Sequence, residues 1–378
     1  MILLISSVLW KGQRQRPQHL AAGLARKEPV LFIEPMTLGQ RPTLSPIQAE
    51  HNVFVVSIPV FPHNARKRWI RRASNFLSRA AILRAILCTF QKAIIRKALR
   101  QLPGRGTSRV LLHDFLGLPL AESLAPSRIV FDYIDDAFGF TSFPPYARKT
   151  WISALRRASA VTATAPRLKQ IVDEAAGIES LVVSNGVDFE RFASPDAPRP
   201  ADLPPAGSPL VLYVGSVYPW LDFDLVEATV RACPDLQFVF VGQSHPDVGK
   251  NLALLETLGN FTYLGFRPYE ALPAYLHSAA ATIIPFARTP LTAAVNPVKL
   301  YEQSAAGVPT VLTPFSGDLE QFADRLLIAR SQAEFSIRLR EAIARGADPA
   351  FRRTLQAFAR EHDWSVKVSA IENLLCGV

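Results

Sequence analysis

The chain has 378 residues, 49% of them hydrophobic, and its 42 basic and 32 acidic residues give a net charge of +10. This length and apolar content predict two domains of ordinary size, each with its own core. The charge favours an anionic partner, a class that includes phosphorylated ligands, acidic lipid headgroups and nucleic acid. Cys88, Cys233 and Cys376 have neither disulfide nor metal-ligand spacing, so we expect reduced thiols in a cytosolic protein.

The first ten residues are apolar but have no preceding basic region and no cleavage site. We therefore expect a first β-strand there instead of a signal peptide. Because no run of about 18 apolar residues occurs along the chain, the sequence predicts no membrane-spanning helix.

Short β-rich apolar runs alternate with helical patterns in both halves of the chain. This alternation predicts two parallel sheets that are covered by helices on both faces. In the first half the predicted strands are 2–6, 30–33, 53–58, 110–113, 129–133, 160–163 and 181–183. In the second half they are 210–215, 237–241, 261–264, 281–284 and 310–312.

A proline-rich segment separates the two halves. Residues 193–207 contain five prolines, which predicts a stiff connector that joins neither sheet. We therefore predict an N-terminal domain over 1–193, a linker over 194–208, a C-terminal domain over 209–349 and a final helical segment over 350–378.

Between His51 and His113 the chain has thirteen lysines and arginines but no aspartate or glutamate. Apolar residues recur there at alternating spacings of four and three, which predicts one helical stripe. The stripe consists of Trp69, Ala73, Phe76, Ala80, Leu83, Leu87, Phe90 and Ile94. One interpretation is a surface helix that covers the first sheet. Another, for 66–72, is a membrane-surface segment with Trp69 among five cations. Nucleic acid is not favoured, because no recognised motif accompanies the charge.

A short helix near position 300 is predicted to bind a phosphate at its N-terminus. Asn296 suits its N-cap, Pro297 its first position and Gly307 its C-terminal stop. The N–H groups of its first turn favour an anion, and Lys299 adds a full positive charge there. Glu302, on the same face, could accept hydrogen bonds from ribose hydroxyls. Taken singly, Lys299 and Glu302 are also compatible with a surface ion pair.

This segment resembles the donor-binding signature of the GT-B glycosyltransferases, in which Pro-x-Lys-x-x-Glu precedes a small-residue turn and a buried strand. The Asn-Gly-Val-Asp run in 184–192 resembles the family's element before the interdomain linker, and 212–216 its opening of the second domain. The segment 260–269 resembles the loop that meets the nucleotide base. Trp364 matches the terminal segment that crosses back to the first domain. Teichuronic-acid-type and xanthan-type transferases are suggested by Arg-Pro-Gln-His at 16–19 and Phe-Asp-Tyr-Ile-Asp-Asp at 131–136.

The resemblance implies the α/β GT-B fold, with two Rossmann-like domains facing across a cleft and a C-terminal helix crossing back to the first domain. It also implies a hexosyltransferase-type enzyme with a UDP- or GDP-linked sugar as donor. We expect no cofactor and no metal, because no Asp-x-Asp motif follows a strand; Lys299 and the helix N-terminus would stabilise the phosphates. The implied donor-binding residues are Gly215, Ser216, Gln243, Phe266, Arg267, Asn296, Lys299 and Glu302.

The chain departs from the family pattern at two places. Ala294 stands eight residues before Glu302, where many retaining members carry a glutamate that faces the donor sugar. Residues 216–222 lack the Arg and Lys usually found after the first strand of the second domain. Lys299 is then expected to carry more of the diphosphate charge, helped by Arg288 or Arg267. Inversion and retention of the anomeric configuration both stay open.

On the acceptor side, the predicted strand 129–133 ends at two adjacent carboxylates, at the edge where α/β proteins bind ligands. In the resembling inverting enzymes an aspartate at this strand end is the general base, and Asp135 aligns with it. The alternative is that Asp135 and Asp136 cap the following helix. The other expected acceptor contacts are Gly12, Arg16 (or Arg14), Asp136 and His113, of which the histidine could equally be structural.

Together these features predict a glycosyltransferase of surface polysaccharide synthesis that acts on a glycan or lipid-linked acceptor. We expect it in the cytoplasm, bound peripherally to anionic lipid at the inner face of the cell membrane. Two alternatives are a nucleotide-sugar epimerase of the same fold and a catalytically silent membrane-bound assembly subunit. A nicotinamide dehydrogenase is not favoured, because no Gly-x-Gly-x-x-Gly follows the first strand.

Overall fold

A computed structural model describes residues 1–37, 39, 45–63, 65, 67–103, 108–140, 143–194 and 198–378. These residues divide into two compact units. The first unit comprises Met1–Ser184 together with Ser365–Val378, and the second comprises Asn185–Trp364. Within the described residues, no helix combines the length and the apolar character that crossing a membrane requires.

The strands of the first unit are β1 (Ile2–Ile5), β2 (Val30–Pro35), β3 (Ile47–Glu50), β4 (Val53–Ile58), β5 (Arg109–Leu112), β6 (Arg128–Tyr133), β7 (Ala160–Ala163) and β8 (Leu181–Val182). They form an eight-stranded sheet in the order β3-β4-β2-β1-β5-β6-β7-β8. Neighbours pair in parallel, except that β3 is antiparallel to β4. All residues of the central β1 are buried, as expected where both faces of a parallel sheet are covered.

Helices fill the connections of this sheet. They are α1 (Arg16–Leu24), α2 (Arg68–Leu77), α3 (Ala81–Leu99), α4 (Leu118–Ser123), α5 (Ala137–Phe140), α6 (Pro145–Arg157) and α7 (Pro166–Ala176). Several begin with a proline in the first turn, where the missing N–H costs no hydrogen bond.

The second unit contains β9 (Leu210–Val214), β10 (Gln237–Val241), β11 (Phe261–Gly265), β12 (Ala281–Ile284), β13 (Thr310–Leu312) and β14 (Leu327–Ile328). They form a parallel sheet in the order β11-β10-β9-β12-β13-β14. The order reverses direction at β9 and β12, and ligands of open α/β sheets bind outside the strand ends at such a point.

The helices of the second unit are α8 (Phe189–Ala193), α9 (Phe223–Ala232), α10 (Gly249–Glu256), α11 (Leu272–His277), α12 (Pro290–Ala293), α13 (Val298–Ala305), α14 (Gln332–Gly346) and α15 (Pro349–Arg360). Side-chain caps fix the starts of the longer ones. Asp222 accepts from the N–H of Leu225 before α9, and Ser331 accepts from the N–H of Glu334 before α14.

The sequence predicted the strands well. All twelve predicted strands exist, with ends that differ by at most two residues. The strands β3 and β14 were not predicted. The exposed, antiparallel β3 has the sequence Ile-Gln-Ala-Glu, without an apolar run, and β14 has only two residues.

The boundary between the units lies earlier than the predicted linker at 194–208, of which 195–197 fall outside the described residues. The reason is α8, whose Phe189 and Phe192 are buried in the core of the second unit. The final segment also divides. Its first helix, α15, packs against α13 in the second unit, whereas nearly all of α16 (Trp364–Cys376) belongs to the first unit. The predicted return of the C-terminal helix to the first domain is therefore confirmed.

The apolar stripe predicted over residues 69–94 lies on two helices, α2 and α3, and most of it faces solvent. Trp69, Phe76 and Phe90 are 69%, 71% and 52% exposed, whereas Ile94 is buried. The interpretation of the stripe as a cover for the sheet is therefore wrong except at its end. Between the two helices, the guanidinium of Arg84 donates to the carbonyls of Ser78 and Arg79 at 2.6 and 2.9 Å. Arg66, at the start of the basic run, lies outside the described residues.

Candidate functional site

Lys299 lies in the first turn of α13, at the carboxyl end of β9. Its ammonium donates to the hydroxyl of Tyr213 at 2.8 Å and lies 4.3 Å from the centre of the Tyr213 ring and 4.8 Å from that of Phe286. Two aromatic faces therefore hold the cation where the first N–H groups of α13 are available to an anion.

Two glycines make room for this lysine. Gly215 follows β9 with a φ of 137°, and a Cβ there would lie 2.6 Å from the Lys299 ammonium nitrogen. Gly242 follows β10 with a φ of 148°, and a Cβ there would lie 1.9 Å from the carbonyl oxygen of Gly215. Any larger residue would be strained and would clash, so the strand ends approach each other and Lys299 through glycine.

Burial opposes charge on both ionisable groups of α13. It lowers the pKa of Lys299 to about 7, with the carboxylate of Glu302 opposing the shift. It raises the pKa of Glu302 to about 7, with the ammonium of Lys299 opposing that shift. Removal from water without full compensation is the dominant cause for both. A bound diphosphate would supply the missing negative charge and favour the protonated lysine.

Asn296 does not cap α13 as predicted. The helix starts at Val298, and Pro297 occupies the N-cap. The side-chain carbonyl of Asn296 accepts from the N–H of Asn185 at 2.9 Å, and its amide donates to the Tyr301 hydroxyl at 2.9 Å. Asn296 therefore joins the beginning of the second unit to the loop before α13, and its first role is to position that loop.

The other predicted donor residues lie at the same edge of the sheet but differ in their contacts. The backbone carbonyl of Ser216 accepts from the Tyr213 hydroxyl at 2.8 Å. The backbone carbonyl of Gln243 accepts from the N–H of Val217 at 2.9 Å, and the residue is exposed. Phe266, after β11, is 50% exposed and could stack on a base.

Arg267 is bound within the protein. Its guanidinium pairs with Asp202 at 2.5 Å and donates to the carbonyls of Leu264 and Phe266 at 2.6 and 2.8 Å. Arg288 is exposed and donates to the carbonyl of Arg330 at 2.9 Å. These contacts give neither arginine the predicted role of assisting Lys299.

Sequence reasoning missed an aromatic cluster in the segment 216–222, which was noted only for its lack of Arg and Lys. Tyr218 stacks on Trp220 with ring centres 4.6 Å apart and lies 5.2 Å from the ring of His245. A hydrogen bond from Trp220 reaches the Tyr213 hydroxyl, the group that also holds Lys299. The sequence did place these three aromatic side chains just after β9 and β10, and that pattern could have indicated the cluster.

In the first unit, Arg16 forms a buried ion pair. Its guanidinium donates to both carboxylate oxygens of Asp132, at 2.7 and 2.9 Å, and to the carbonyl of Ser184 at 3.0 Å. His113 and Thr162 also contact that carboxylate, at 2.9 and 2.6 Å. These contacts hold the pKa of Asp132 well below its usual range despite complete burial. The arrangement argues against a contact of Arg16 with an acceptor phosphate, and the sequence did not reveal Asp132 as its partner.

Asp135 and Asp136 have different surroundings. The carboxylate of Asp136 accepts from the N–H of Phe138 at 3.2 Å and so caps α5, as the alternative interpretation stated. Solvent reaches Asp135, but protein atoms crowd around it where it lines a cavity. This crowding raises the pKa of Asp135 to about 6, with Arg16 opposing and Asp136 adding to the shift. A carboxylate with this pKa is suited to accept a proton near neutral pH.

The remaining acceptor predictions fall near the end of β1. Gly12 lies in an exposed turn with a φ of 128°, and Arg14 pairs with Glu50 at 2.6 Å. His113, after β5, is buried and lines the same cavity as Asp135. The structure thus brings His113 and Asp135 to one cavity of the first unit and places Gly12 in a turn.

No group of three or more His, Cys, Asp or Glu side chains in the described part of the chain is arranged to hold a metal ion. A metal-independent donor site stays a prediction.

Comparison with known proteins agrees with this geometry. Residues 197–356 match the family model described as glycosyl transferases, group 1. The chain is 26% identical over 272 residues to the "Putative teichuronic acid biosynthesis glycosyltransferase TuaH" of Bacillus subtilis (strain 168), with 68% of each chain covered.

Solved structures resemble the whole chain. One, described as trehalose-6-phosphate from E. coli bound with UDP-2-fluoro glucose, has a TM-score of 0.69 at 13% identity and covers 99% of this chain and 98% of that one. Anabaena HepE in complex with UDP and glucose has a TM-score of 0.65 at 14% identity, with 100% and 99% covered. WaaG, a glycosyltransferase involved in lipopolysaccharide biosynthesis, has a TM-score of 0.64 at 16% identity, with 100% of both chains covered.

At these identities the structural likeness shows the fold. The carboxyl edge of the second sheet, where Lys299 lies, falls within the matched segment. The chain is therefore a glycosyltransferase with the GT-B fold, and residues 197–356 of its second unit match the group 1 family model.

Proposed function

We propose that this glycosyltransferase takes its sugar from a nucleotide-diphosphate donor bound by the second unit. The observation that carries the proposal is the position of Lys299, a cation held by neutral aromatic groups beside two glycines at the end of β9. The diphosphate of the donor would bind beside the Lys299 ammonium at the N-terminus of α13. Complexes of HepE with UDP and glucose support a donor of this class.

The reaction assigns a role to each unit. The acceptor hydroxyl oxygen attacks the anomeric carbon, the bond from that carbon to the diphosphate breaks, and the nucleoside diphosphate leaves with the bonding electrons. Lys299 and the N-terminus of α13 stabilise the negative charge that develops on the leaving phosphate. Asp135 accepts the proton of the attacking hydroxyl.

This assignment of roles predicts an inverted product. Ala294 is buried, and it occupies the place at which many retaining relatives carry a donor-facing glutamate. A direct attack assisted by Asp135 from the acceptor side needs no carboxylate at that place. The anomeric configuration of the product therefore tests the assignment of the base.

We assign the acceptor to the cytoplasmic face of the cell membrane. The outer surface of α2 and α3, which we call the apolar–basic surface, combines exposed Trp69, Phe76 and Ile82 with exposed cations such as Arg68 and Arg72. Apolar side chains that insert at the interface, flanked by cations that attract anionic headgroups, are typical of peripheral membrane proteins. A glycan or lipid-linked acceptor of polysaccharide synthesis fits this location, and the name of TuaH agrees with it.

The proposal is tested by incubating the purified protein with a panel of UDP- and GDP-sugars and measuring nucleotide release with and without a lipid-linked acceptor. Release that requires the acceptor supports transfer. Isomerisation of the donor sugar without an acceptor would instead show an epimerase, and binding to vesicles without turnover of any donor would show a silent assembly subunit.

A further inference from the structure

A cavity of about 890 Å³ lies in the first unit between α3, α6 and the carboxyl ends of β1, β2 and β4. This volume falls within the range of about 300–1,000 Å³ that is typical of small-molecule sites. Asp135, which follows β6, lies in its wall beside the carboxyl ends of the strands. Much of the remaining wall is apolar, and its largest apolar members include Ile58, Phe61, Leu87, Phe115 and Phe143.

Most polar groups of the wall already have partners in the protein. The amide of Gln91 donates to the carbonyl of Pro59 at 2.7 Å. A carboxylate oxygen of Glu34 accepts from the Ser57 hydroxyl at 2.8 Å. The ring nitrogens of His63 lie 2.7 and 3.3 Å from Asn75 and Tyr146. A sugar in this part of the cavity would lose its hydrogen bonds to water and find few replacements, whereas a hydrocarbon loses none.

The sheet end of the cavity differs from the rest. Asp135, which solvent reaches, lies in this part of the wall and has the pKa suited to a base. A hydroxyl within reach of Asp135 would be both hydrogen-bonded and activated. His113 also follows a strand here, but its side chain is fully buried against Asp132, so it offers the cavity no accessible side-chain atom.

The helix α3 joins the cavity to the apolar–basic surface. Leu87, Cys88 and Gln91 line the cavity, while Ile86 and Phe90 of the same helix are 59% and 52% exposed on the other side. One helix thus separates an apolar interior from an apolar exterior. A bilayer in contact with this surface would therefore lie against the helix that forms one wall of the cavity.

We propose that this cavity binds the hydrocarbon chain of a glycolipid acceptor, with the reactive hydroxyl held near Asp135. The inference rests on the proposed function and adds the substrate class: the acceptor carries an alkyl or isoprenoid chain close to its reactive sugar. A free oligosaccharide would leave the apolar wall unoccupied.

The test uses Cys88, which is partly exposed in the cavity wall, with exposed Cys376 as the internal control. The native protein is labelled with a maleimide in two parallel reactions. One contains octyl glucoside below its critical micelle concentration, and the other contains methyl glucoside. At about ten times its Kd, octyl glucoside leaves about one tenth of the cavities free, so labelling of Cys88 should slow about tenfold. Methyl glucoside should change nothing, and Cys376 should react at the same rate throughout.

Equal labelling of Cys88 with both glucosides would overturn the proposal, and so would equal slowing at Cys376, which would indicate a general coating by detergent. A matched pair of variants gives a second measurement by calorimetry. Val60→Trp fills the cavity and should abolish the binding of octyl glucoside, whereas Val366→Trp, on exposed α16, should not. Undiminished binding by Val60→Trp would also contradict the assignment.

Neither measurement needs a donor sugar, so their results are independent of the proposed transfer reaction. Protection of Cys88 without any sugar transfer would support hydrocarbon binding in the cavity and contradict the proposed function. Sugar transfer without protection of Cys88 would support the proposed function and contradict hydrocarbon binding in the cavity.

Discussion

The ammonium of Lys299 donates to the hydroxyl of Tyr213, and that hydroxyl donates to the carbonyl of Ser216, each at 2.8 Å. A residue of β9 therefore fixes both the cation and the turn that follows the strand. This relationship positions the amine of Lys299 at the sheet edge before any ligand arrives, and a bound diphosphate would favour its protonated form. A pre-positioned charge binds an anion without first having to reorganise.

Lys299→Ala should weaken the binding of UDP or GDP by about 1.5–3 kcal/mol, the range for a hydrogen bond to a charged group. Calorimetry of the nucleotide measures this directly. Lys250→Ala removes an exposed lysine of α10 and is the matched control, for which we expect unchanged affinity. If Lys299→Ala bound both nucleotides as tightly as the wild type, the assignment of the donor site would be wrong.

Donor binding should depend on pH through Lys299. The donor needs the protonated lysine, whose pKa in the free protein is lowered to about 7, and the bound diphosphate raises that pKa. The affinity for the donor should thus be highest below pH 7 and decline by about tenfold per pH unit above it. The decline should stop at the pKa that Lys299 has in the donor complex. Titration calorimetry with UDP-glucose between about pH 6 and pH 9 measures this affinity. These limits lie about one unit below and two units above the pKa of Lys299 in the free protein.

Glu302→Gln tests the same prediction through the direction in which the pH dependence shifts. The carboxylate of Glu302 raises the pKa of Lys299, so its removal should move the onset of the decline to lower pH. An onset that stayed in place, or moved to higher pH, would show that a group other than Lys299 controls the pH dependence.

The donor helix shows what a sequence can predict. Pro297, Lys299, Glu302 and Gly307 lie within eleven residues of one another, so spacing alone predicted a short helix with a cation at its start. The contacts of Lys299 with Tyr213 were not predictable, because that tyrosine is 86 residues away on an apolar strand without any polar pattern. The helix also starts one residue late, since Asn296 forms tertiary hydrogen bonds in place of the expected cap.

Asp135→Asn should lower turnover by about 10²–10⁴-fold, the usual contribution of general base catalysis, and leave nucleotide affinity near the wild-type value. In the wild type, kcat/KM should rise with pH through about 6, because the base must be ionised and crowding raises the pKa of Asp135 to that value. Steady-state kinetics over this range measures both effects. Asp136→Asn is the control: it keeps a capping oxygen for α5 and should affect turnover much less.

Retention of configuration in the product would refute the role of Asp135 as the base. So would normal turnover by Asp135→Asn. Either result would move the chemistry to donor-facing groups near Asn296.

Arg16 should prove structural. Arg16→Met leaves the carboxylate of Asp132 buried without its main partner, so the free energy of unfolding should fall by about 3–5 kcal/mol. Denaturant titration measures this. Arg14→Met, which breaks the more exposed pair with Glu50, should cost at most about 1 kcal/mol. A fully stable Arg16→Met variant with weakened acceptor binding would restore the role predicted from the sequence.

The first unit shows where sequence reasoning fails. The spacing of Trp69, Phe76 and Phe90 correctly indicated helix, yet it could not show which face the fold would bury. The sheet is covered from this region mainly by Ile94, Ile95 and Ala98 at the end of α3. Asp132 was overlooked for a related reason: a single carboxylate inside an apolar strand has no local pattern, and its partner Arg16 is 116 residues away.

Membrane association should be electrostatic and peripheral. Replacing Arg66, Lys67, Arg68, Arg71 and Arg72 with glutamine should release the protein from anionic vesicles, since each cation near the surface contributes about 1 kcal/mol. Added salt should weaken binding of the wild type in the same way. Vesicle sedimentation at low and high salt measures both.

The matched control for this variant replaces five exposed cations elsewhere, namely Lys149, Arg167, Lys250, Arg352 and Arg353. It has the same net charge as the test variant but keeps the apolar–basic surface. Equal vesicle binding by the wild type and both variants would remove the membrane assignment. Equal loss in both variants would show that net charge, not this surface, drives association.

The most direct test of the central claim is the release of nucleoside diphosphate from a panel of UDP- and GDP-sugars by the purified protein, with and without a lipid-linked acceptor. We predict that one donor is consumed, that release requires the acceptor, and that Lys299→Ala and Asp135→Asn both slow it strongly while Lys250→Ala does not. Release that is unaffected by Lys299→Ala, or the absence of release from every donor in the presence of acceptor, would contradict the account.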